Sequence, residues 1–342
     1  MLKFMDNPAL NPKLVACPVA ECGAADRIGI HSEPERRYKC HACGRTFAAS
    51  RGTPLYDLKY PVWVVALVLT LLAYGCAVPA IVAAFYLDER TVAEWQRRAG
   101  QHGEQIQDRL VCHGQVELGQ VQADELCVKT QRGTVWVATA MSVFARLFLW
   151  GEVGRARSKP LIERVIAQVR AAAGALPQAV LFAVDGFAAY PKAILKHFYT
   201  RLLTGQRGRP AHQVWPDLHI VQVVKSRAGR KLTDIQRRVA HGSRARVDDL
   251  IAMSQVTFGL INTAFIERLN ATCRARMPSL ARRTRHLAQT PQRLRAELFW
   301  TGVVYNFCTV HHSLAATPAM AAGLTEHVWS VTELLLLRPP PK

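Results

Sequence analysis

A long stretch without charged residues covers positions 61–85 and reads PVWVVALVLTLLAYGCAVPAIVAAF. An apolar run of about 18 residues or more is the usual signature of a transmembrane helix. Gly75 and Pro79 interrupt this run, and they are typical of a helix end and of the first turn of the next helix. The pattern therefore predicts helices over 61–74 and 79–86 with a turn between them. A membrane span is the alternative that this pattern leaves open.

A third helix is predicted directly after these two, where TVAEWQRRAG begins with a threonine and becomes basic. Three helices joined by short turns, the last of them basic, are typical of a helix-turn-helix DNA-binding domain, predicted here over 60–100. Its recognition helix would place Thr91 near base edges and Arg97 and Arg98 near phosphates. A dimerisation helix that uses the surplus apolar face is a further alternative.

The charge of the chain indicates a polyanionic partner. Lys and Arg exceed Asp and Glu by 19, which favours binding to nucleic acid or to an anionic membrane surface. The segments 225–246 and 274–287 are densely basic, and we expect them to contact DNA phosphates. A helix with one solvated basic face is the alternative for each of them.

Four of the nine cysteines form two close pairs near the start of the chain. The preceding residues 1–16 look like a loose leader without an export signal, so we expect a cytoplasmic protein and no disulfide framework. Two close pairs separated by a strand-sized loop can hold one tetrahedral Zn²⁺, which would stabilise a small domain. The spacing predicts a structural zinc ribbon or finger over 17–55, with the ligands Cys17, Cys22, Cys40 and Cys43. Four unrelated thiols are the alternative.

Strands and helices alternate after residue 119, and three acidic residues stand at notable places in this pattern. Asp124 lies in the strand VQADELCV, Asp185 ends the strand VLFAVDG, and Glu267 lies in the helix NTAFIERLNATCRAR. Carboxylates that converge from different elements can hold divalent metal ions for phosphoryl transfer. Taken singly, each acid could instead serve a turn, a surface ion pair or a strand edge. Glu125 is expected to point to the opposite face of its strand and is left out of the site.

Several of these segments resemble one family. VQADELCVK, AVDGFAAYPKAI and FIERLNATCRARMPSLARRTRHLAQT resemble the catalytic core of DDE transposases of the IS-one type, which bacterial insertion sequences encode. The resemblance extends to the zinc finger, the helix-turn-helix and the carboxyl-terminal segment, over roughly residues 15–335. Its most specific part is the pattern Glu267-Arg268-x-Asn270-x3-Arg274.

The resemblance implies a multidomain chain with a ribonuclease-H-like, retroviral-integrase-like α/β domain over 119–312, a mixed sheet flanked by helices. A linker helix over 101–118 would precede this domain and a tail over 313–342 would follow it. Asp124 would lie on the first strand, Asp185 after the fourth and Glu267 on a later helix, and the three would hold two Mg²⁺ or Mn²⁺ ions. Residues expected to bind DNA phosphates are Asn270, Arg274, Arg276, Arg282, Arg283 and Arg285.

The implied function is that of a transposase. It would bind double-stranded DNA at the terminal inverted repeats of its element, hydrolyse a phosphodiester there and join the freed 3′-OH to target DNA. We expect a homodimer or larger assembly, because two ends must be brought together, association with the nucleoid and no membrane partner. The alternative is a zinc-finger and helix-turn-helix regulator whose catalytic domain is inactive.

Overall fold

The computed structural model describes residues 10–19, 21–202, 211–229, 231–254, 260–282 and 284–338. Among these residues, no helix combines the length and the apolar character that crossing a membrane requires.

The amino-terminal module is a small antiparallel sheet of β1 (Ile28–Ser32), β2 (Arg37–Cys40) and β3 (Thr46–Ala48). Its core is separate from the other clusters of buried residues and includes Tyr38 and Phe47. Leu10 and Val15 are buried in the same core. The described part of the predicted leader is therefore packed rather than loose, because these two apolar side chains complete a very small core.

Helices α1 (Val62–Ala73) and α2 (Val78–Phe85) divide the long apolar run. Gly75 lies between them with φ +91°, a backbone conformation that favours glycine, and Pro79 occupies the first turn of α2. The predicted division of the run into two helices with a turn is confirmed.

Helix α3 (Glu89–Ile106) differs from the prediction at both of its ends. It begins at Glu89 rather than Thr91, because the Asp88 side chain accepts a hydrogen bond from the backbone N–H of Arg90 and so caps the helix. It continues past Gly100 into a π-helical turn over Gln107–Val111. The predicted linker helix over 101–118 is therefore wrong as a separate element.

The rest of the chain folds into further strands and helices. In chain order they are β4 (Gly119–Thr130), β5 (Gly133–Ser142), β6 (Phe148–Gly154), α4 (Lys159–Ala172), β7 (Val180–Asp185), α5 (Ala189–His197), β8 (Tyr199–Leu202), β9 (Ala211–Val214), β10 (Leu218–Ala228), β11 (Lys231–His241), α6 (Arg244–Ser254), α7 (Ala264–Arg276), α8 (Pro291–Cys308), α9 (Pro318–Ala321) and α10 (Val331–Leu336).

The larger sheet is mixed and has the strand order β11-β10-β7-β4-β5-β6. Strand β4 runs parallel to β7, and β7 runs parallel to β10, whereas β5, β6 and β11 are antiparallel to their neighbours.

Helices cover both faces of this sheet. Phe182 of β7 belongs to the same buried cluster as Ile194 of α5, whereas Leu181 clusters with Val247 of α6. Successive side chains of a strand point to opposite faces, so these two clusters lie on opposite sides. The prediction of a mixed α/β sheet flanked by helices is confirmed. The basic segment 225–246 is mostly the β10–β11 hairpin and not a long helix.

The helices α1–α3 and the sheet share one hydrophobic core, which includes Leu69, Trp95, Phe182 and Trp300. The indole N–H of Trp300 donates to the carbonyl oxygen of Leu69 at 2.8 Å and joins α8 to α1. Helix α10 packs on this core through buried leucines, so the predicted tail over 313–342 is folded within its described part.

Gly100 lies within α3 rather than at its end, and a close approach of α3 to α8 explains why this position is a glycine. A Cβ atom at Gly100 would lie 2.4 Å from both Cα and O of Ala296. Contacts this short are with backbone and cannot be relieved by rotating a side chain. Glycine at this position therefore allows two helix backbones to pack directly against each other.

Replacing Gly100 by alanine is expected to destabilise the protein by about 1–3 kcal/mol, because overpacking outweighs the better helix propensity of alanine. The free energy of unfolding in urea measures the effect. Gln105→Ala, at an exposed position of the same helix, is the control and should have little effect. A Gly100→Ala variant as stable as the wild type would contradict this packing.

Candidate functional site

Three acids predicted from the sequence line one cleft of about 640 Å³. Asp124 lies on β4 and Asp185 ends β7, and the two strands are paired so that Ala123 is opposite Val184. This parallel register puts the two acids side by side. Glu267 enters the cleft from the first turn of α7, and 51% of its side chain is exposed.

Glu125 joins this group although its strand position predicted the opposite face. The carboxylates of Asp124, Glu125 and Asp185 each offer an oxygen within 4.8 Å of the others. The pairing of β4 with β7 ends at Ala123, so β7 does not separate Glu125 from Asp185. Glu125 therefore belongs to the acidic group, although the prediction left it out of the metal site, because alternation along a strand does not account for where the neighbouring strand ends.

Asn270 orients the Asp124 carboxylate. Its amide nitrogen donates to Oδ2 of Asp124 at 2.9 Å, and its amide oxygen accepts from the hydroxyl of Thr139 at 3.1 Å. Asn270 is only 1% exposed. The prediction that it contacts DNA is therefore wrong, because both ends of its amide are used within the protein.

Burial raises the pKa of Asp124, and the negative charges of Asp185 and Glu267 raise it further. A buried carboxyl among other carboxyls gains strongly from a nearby positive charge. The acids can thus be expected to attract cations into the cleft.

Two basic side chains lie among the acids, and the sequence singled out neither of them as a partner of the acids. Arg157 donates to Glu125 at 2.9 Å and also to Asp185, while Lys225 forms an ion pair with Glu267. Burial raises the pKa of Glu125, whereas its hydrogen bond from Arg157 opposes that rise. Arg157 lies in a loop and Lys225 in a basic strand, so neither had a pattern that set it apart.

The acidic cluster has the donor set of a divalent metal site. Carboxylate oxygens are the ligands that Mg²⁺ and Mn²⁺ prefer, and two oxygens on one Mg²⁺ lie at most about 4.2 Å apart. Separations within 4.8 Å need only small side-chain rotations to meet this limit. Asp124, Glu125 and Asp185 could therefore hold a metal ion, with Glu267 on the same cleft.

The second candidate metal site is formed by the clustered cysteines. Sγ of Cys17 lies 3.6 Å from Sγ of Cys43, and Sγ of Cys22 lies 3.7 Å from Sγ of Cys40. A tetrahedral Zn²⁺ with Zn–S bonds of about 2.3 Å requires sulfur separations of about 3.8 Å. The cysteines are free, and all four sulfurs lie within 4.8 Å of one another. The group can thus bind a tetrahedral metal ion.

Backbone N–H groups prepare one of these thiols for metal binding. Hydrogen bonding from the N–H of Cys43, assisted by that of Ala42, lowers the pKa of Cys40 to about 7. Burial instead raises the pKa of Cys17 to about 12. A bound cation would favour the thiolate form at both positions.

The arginines that follow Glu267 in the sequence, which were predicted to bind phosphates, differ in how exposed their side chains are. Arg282 and Arg285 are exposed, and Arg274 is half-buried. Arg276 stacks 4.5 Å over the Tyr74 ring and donates to the hydroxyl of Thr309 at 3.1 Å. The phosphate role of Arg276 stays a prediction, and its guanidinium also joins α7 to Tyr74 and Thr309, the residues that follow α1 and α8. Arg283 lies outside the described residues.

The arginines of the predicted recognition helix already make contacts within the protein. Thr91 is half-buried, and Arg97 is exposed but pairs with Glu94 at 2.6 Å. Arg98 donates to Glu94 and to the carbonyl oxygen of Tyr56 at 2.9 Å. Exposed ion pairs are weak enough for Arg97 to exchange its partner, whereas Arg98 also anchors α3 to the preceding loop.

Exposed basic side chains also line a second cleft of about 250 Å³, between α2, α3 and the loop after α7. Arg285, His286 and Arg293 line it together with Glu89 and Gln96 of α3. The predicted recognition helix and the predicted phosphate-binding loop therefore meet at one place on the surface.

Scanned against models of known protein families, the chain matches none, and a search of curated proteins also finds no match. What the site can do is therefore argued from its geometry and chemistry.

Proposed function

We propose that the chain is a DDE-type DNA transposase of the IS-one type, with a ribonuclease-H-like catalytic domain. The observation that carries this proposal is the meeting of Asp124, Asp185 and Glu267 at one cleft. They come from a central strand, from the end of a neighbouring parallel strand and from a helix. Three separate elements supplying acids to one point is what a two-metal phosphoryl-transfer site requires.

The order of the elements supports the same proposal. With β4 counted as the first strand of the larger sheet, β7 is the fourth strand in chain order. Asp124 then lies on the first strand and Asp185 closes the fourth, and Glu267 follows on a later helix. This is the arrangement that the resemblance to DDE transposases implies.

The three acids of the cleft and Asn270 have distinct parts in the proposed reaction. Divalent ions, when bound, would activate a water molecule or a 3′-OH and stabilise the leaving oxygen. Asp124, Asp185 and Glu267 would hold these ions, and Asn270 keeps the Asp124 carboxylate turned towards them. Arg282 and Arg285, both exposed, would bind the DNA backbone, and Arg285 lines the second cleft beside α3.

The cysteine module and helices α1–α3 would bind the ends of the element. The four cysteines would hold a structural Zn²⁺, since a four-thiolate site leaves no open position for catalysis. Arg90 and Arg97 are exposed on α3, and the net charge of +19 favours a polyanionic ligand. We further propose that two copies bring two ends together, and sedimentation of the complex with end DNA checks this stoichiometry. Exclusively 1:1 complexes would count against it.

A regulator without catalytic activity is the second candidate. It is favoured by the ion pairs of Arg157 and Lys225 with the acids, because such pairs also occur in purely structural networks. A regulator would bind DNA with equal affinity with and without added Mg²⁺ and would yield no cleaved product.

The proposed function is tested with labelled DNA from the ends that flank this gene, incubated with Mg²⁺ or Mn²⁺. Nicked and strand-transfer products that require the metal are expected from the wild-type chain. Tight binding of the end DNA without any product in either metal would reject the transposase and favour the regulator.

A further inference from the structure

Arg157 is a charged group within the acidic cluster that the proposed chemistry leaves without a role. Its Nε donates to Oε1 of Glu125 at 2.9 Å, and its Nη2 donates to Oδ2 of Asp185. One planar guanidinium thus bridges two carboxylates that arrive from different strands. The Glu125 side chain is 0% exposed, whereas the Asp185 side chain is 35% exposed on the cleft.

Two aromatic rings flank this guanidinium. Its central carbon lies 4.3 Å from the centroid of the Phe187 ring and 5.6 Å from that of Trp136. Such cation–π contacts restrict the guanidinium without neutralising it. A guanidinium is not deprotonated in proteins, so Arg157 is a permanent cation held at the edge of the cleft.

Asp185 has two possible partners, because the proposed metal ion and Arg157 both require its carboxylate. We propose that Arg157 is a built-in counter-ion of the acidic cluster, which a divalent ion displaces from Asp185 and which then binds a DNA phosphate. This inference rests on the proposed metal-dependent function. Glu125 acts as a positioning residue, because its buried carboxylate retains the guanidinium beside the cleft after Asp185 has been released.

The chemistry of the guanidinium suits both parts of this exchange. Its fork of N–H groups matches a carboxylate and a phosphate equally well, and it stays charged throughout. Before an ion is bound, Arg157 reduces the repulsion among the carboxylates. After an ion is bound, the same charge is available to the phosphate that the ion attracts.

Binding of Mn²⁺ to the full chain without DNA tests the first part. Arg157→Gln is expected to bind Mn²⁺ about tenfold more tightly than the wild type, because a competing and repelling charge is removed. Arg155→Gln removes the same charge from an exposed position of the same loop, and we expect less than about a twofold change, because solvent and salt screen it. Arg157→Lys keeps the charge but lacks the forked N–H groups of the guanidinium, and its Mn²⁺ affinity should lie between those of the wild type and Arg157→Gln. Far-ultraviolet circular dichroism and thermal melting verify that each variant is folded.

Binding of end DNA tests the second part without relying on catalysis. In saturating Mn²⁺ we expect Arg157→Gln to bind this DNA about tenfold more weakly than the wild type, the size of one charged phosphate contact. In buffer without added Mn²⁺ or Mg²⁺ the two proteins should differ in DNA affinity by less than about twofold, because Arg157 is then held by Asp185.

Three results would overturn the inference. They are unchanged or weaker Mn²⁺ binding by Arg157→Gln, an equal gain in Mn²⁺ affinity by Arg155→Gln, or the same loss of DNA affinity without added divalent ions as in Mn²⁺. If the expected binding shifts appear but the wild type cleaves no DNA, the counter-ion role stands and the transposase proposal fails.

Discussion

Replacing Asp185 by asparagine is expected to lower the rate of metal-dependent DNA cleavage roughly 10³-fold. The asparagine keeps the size of the side chain, and its carbonyl oxygen can still accept the N–H of Phe187, which Oδ1 of Asp185 accepts at 2.9 Å. Only the negative charge is lost. A carboxylate that holds a catalytic ion contributes several kcal/mol to the transition state, and about 4 kcal/mol corresponds to this factor.

Initial rates of nicking on end DNA measure this effect, with Glu267→Gln as a second variant of the same site. Asp249→Asn is the matched control, because it makes the same change at an exposed position of α6. DNA affinity of Asp185→Asn should be unchanged or slightly higher, since a negative charge near the phosphates has been removed. Cleavage at the wild-type rate would exclude Asp185 from catalysis.

The local features of this chain could be predicted from its sequence. Helices α1 and α2 were indicated by the glycine and the proline that interrupt one apolar run, and β7 by an apolar segment that ends on Asp185. Such features depend on neighbouring residues, whose spacing the sequence states directly. Even the meeting of the cysteines follows from two close pairs and one short loop.

The features that were missed depend on contacts between distant residues. Asn270 lies 146 positions from Asp124, and its helical spacing from Glu267 did not reveal that it points inward to that carboxylate. Arg157 lies 32 positions from Glu125 in an unremarkable loop. The third helix was predicted to stop at 100, because the sequence does not show that Gly100 packs against the backbone of α8. Local sequence patterns therefore indicated which acids form the site, but not which distant side chains bind and orient them.

Replacing Cys40 by serine is expected to remove the metal from the amino-terminal module and to unfold that module alone. Cys40 is fully buried, and its thiol is one of the four that meet within 4.8 Å. The surrounding core is small, so metal binding, which provides about 10 kcal/mol or more in zinc-finger peptides, would supply most of its folding free energy. The cores built around the larger sheet are separate from it and should persist.

Metal analysis and hydrogen exchange of the full chain measure the two parts of this expectation. The wild type should carry about one Zn²⁺ per chain, and Cys40→Ser close to none. Amide protection should be lost in β1–β3 and kept in β4 and β7. Cys127→Ser is the control, since Cys127 is an exposed cysteine of β4. Protection of β1–β3 that survives in Cys40→Ser without bound metal would show that the small core folds by itself and that the cysteines serve another purpose.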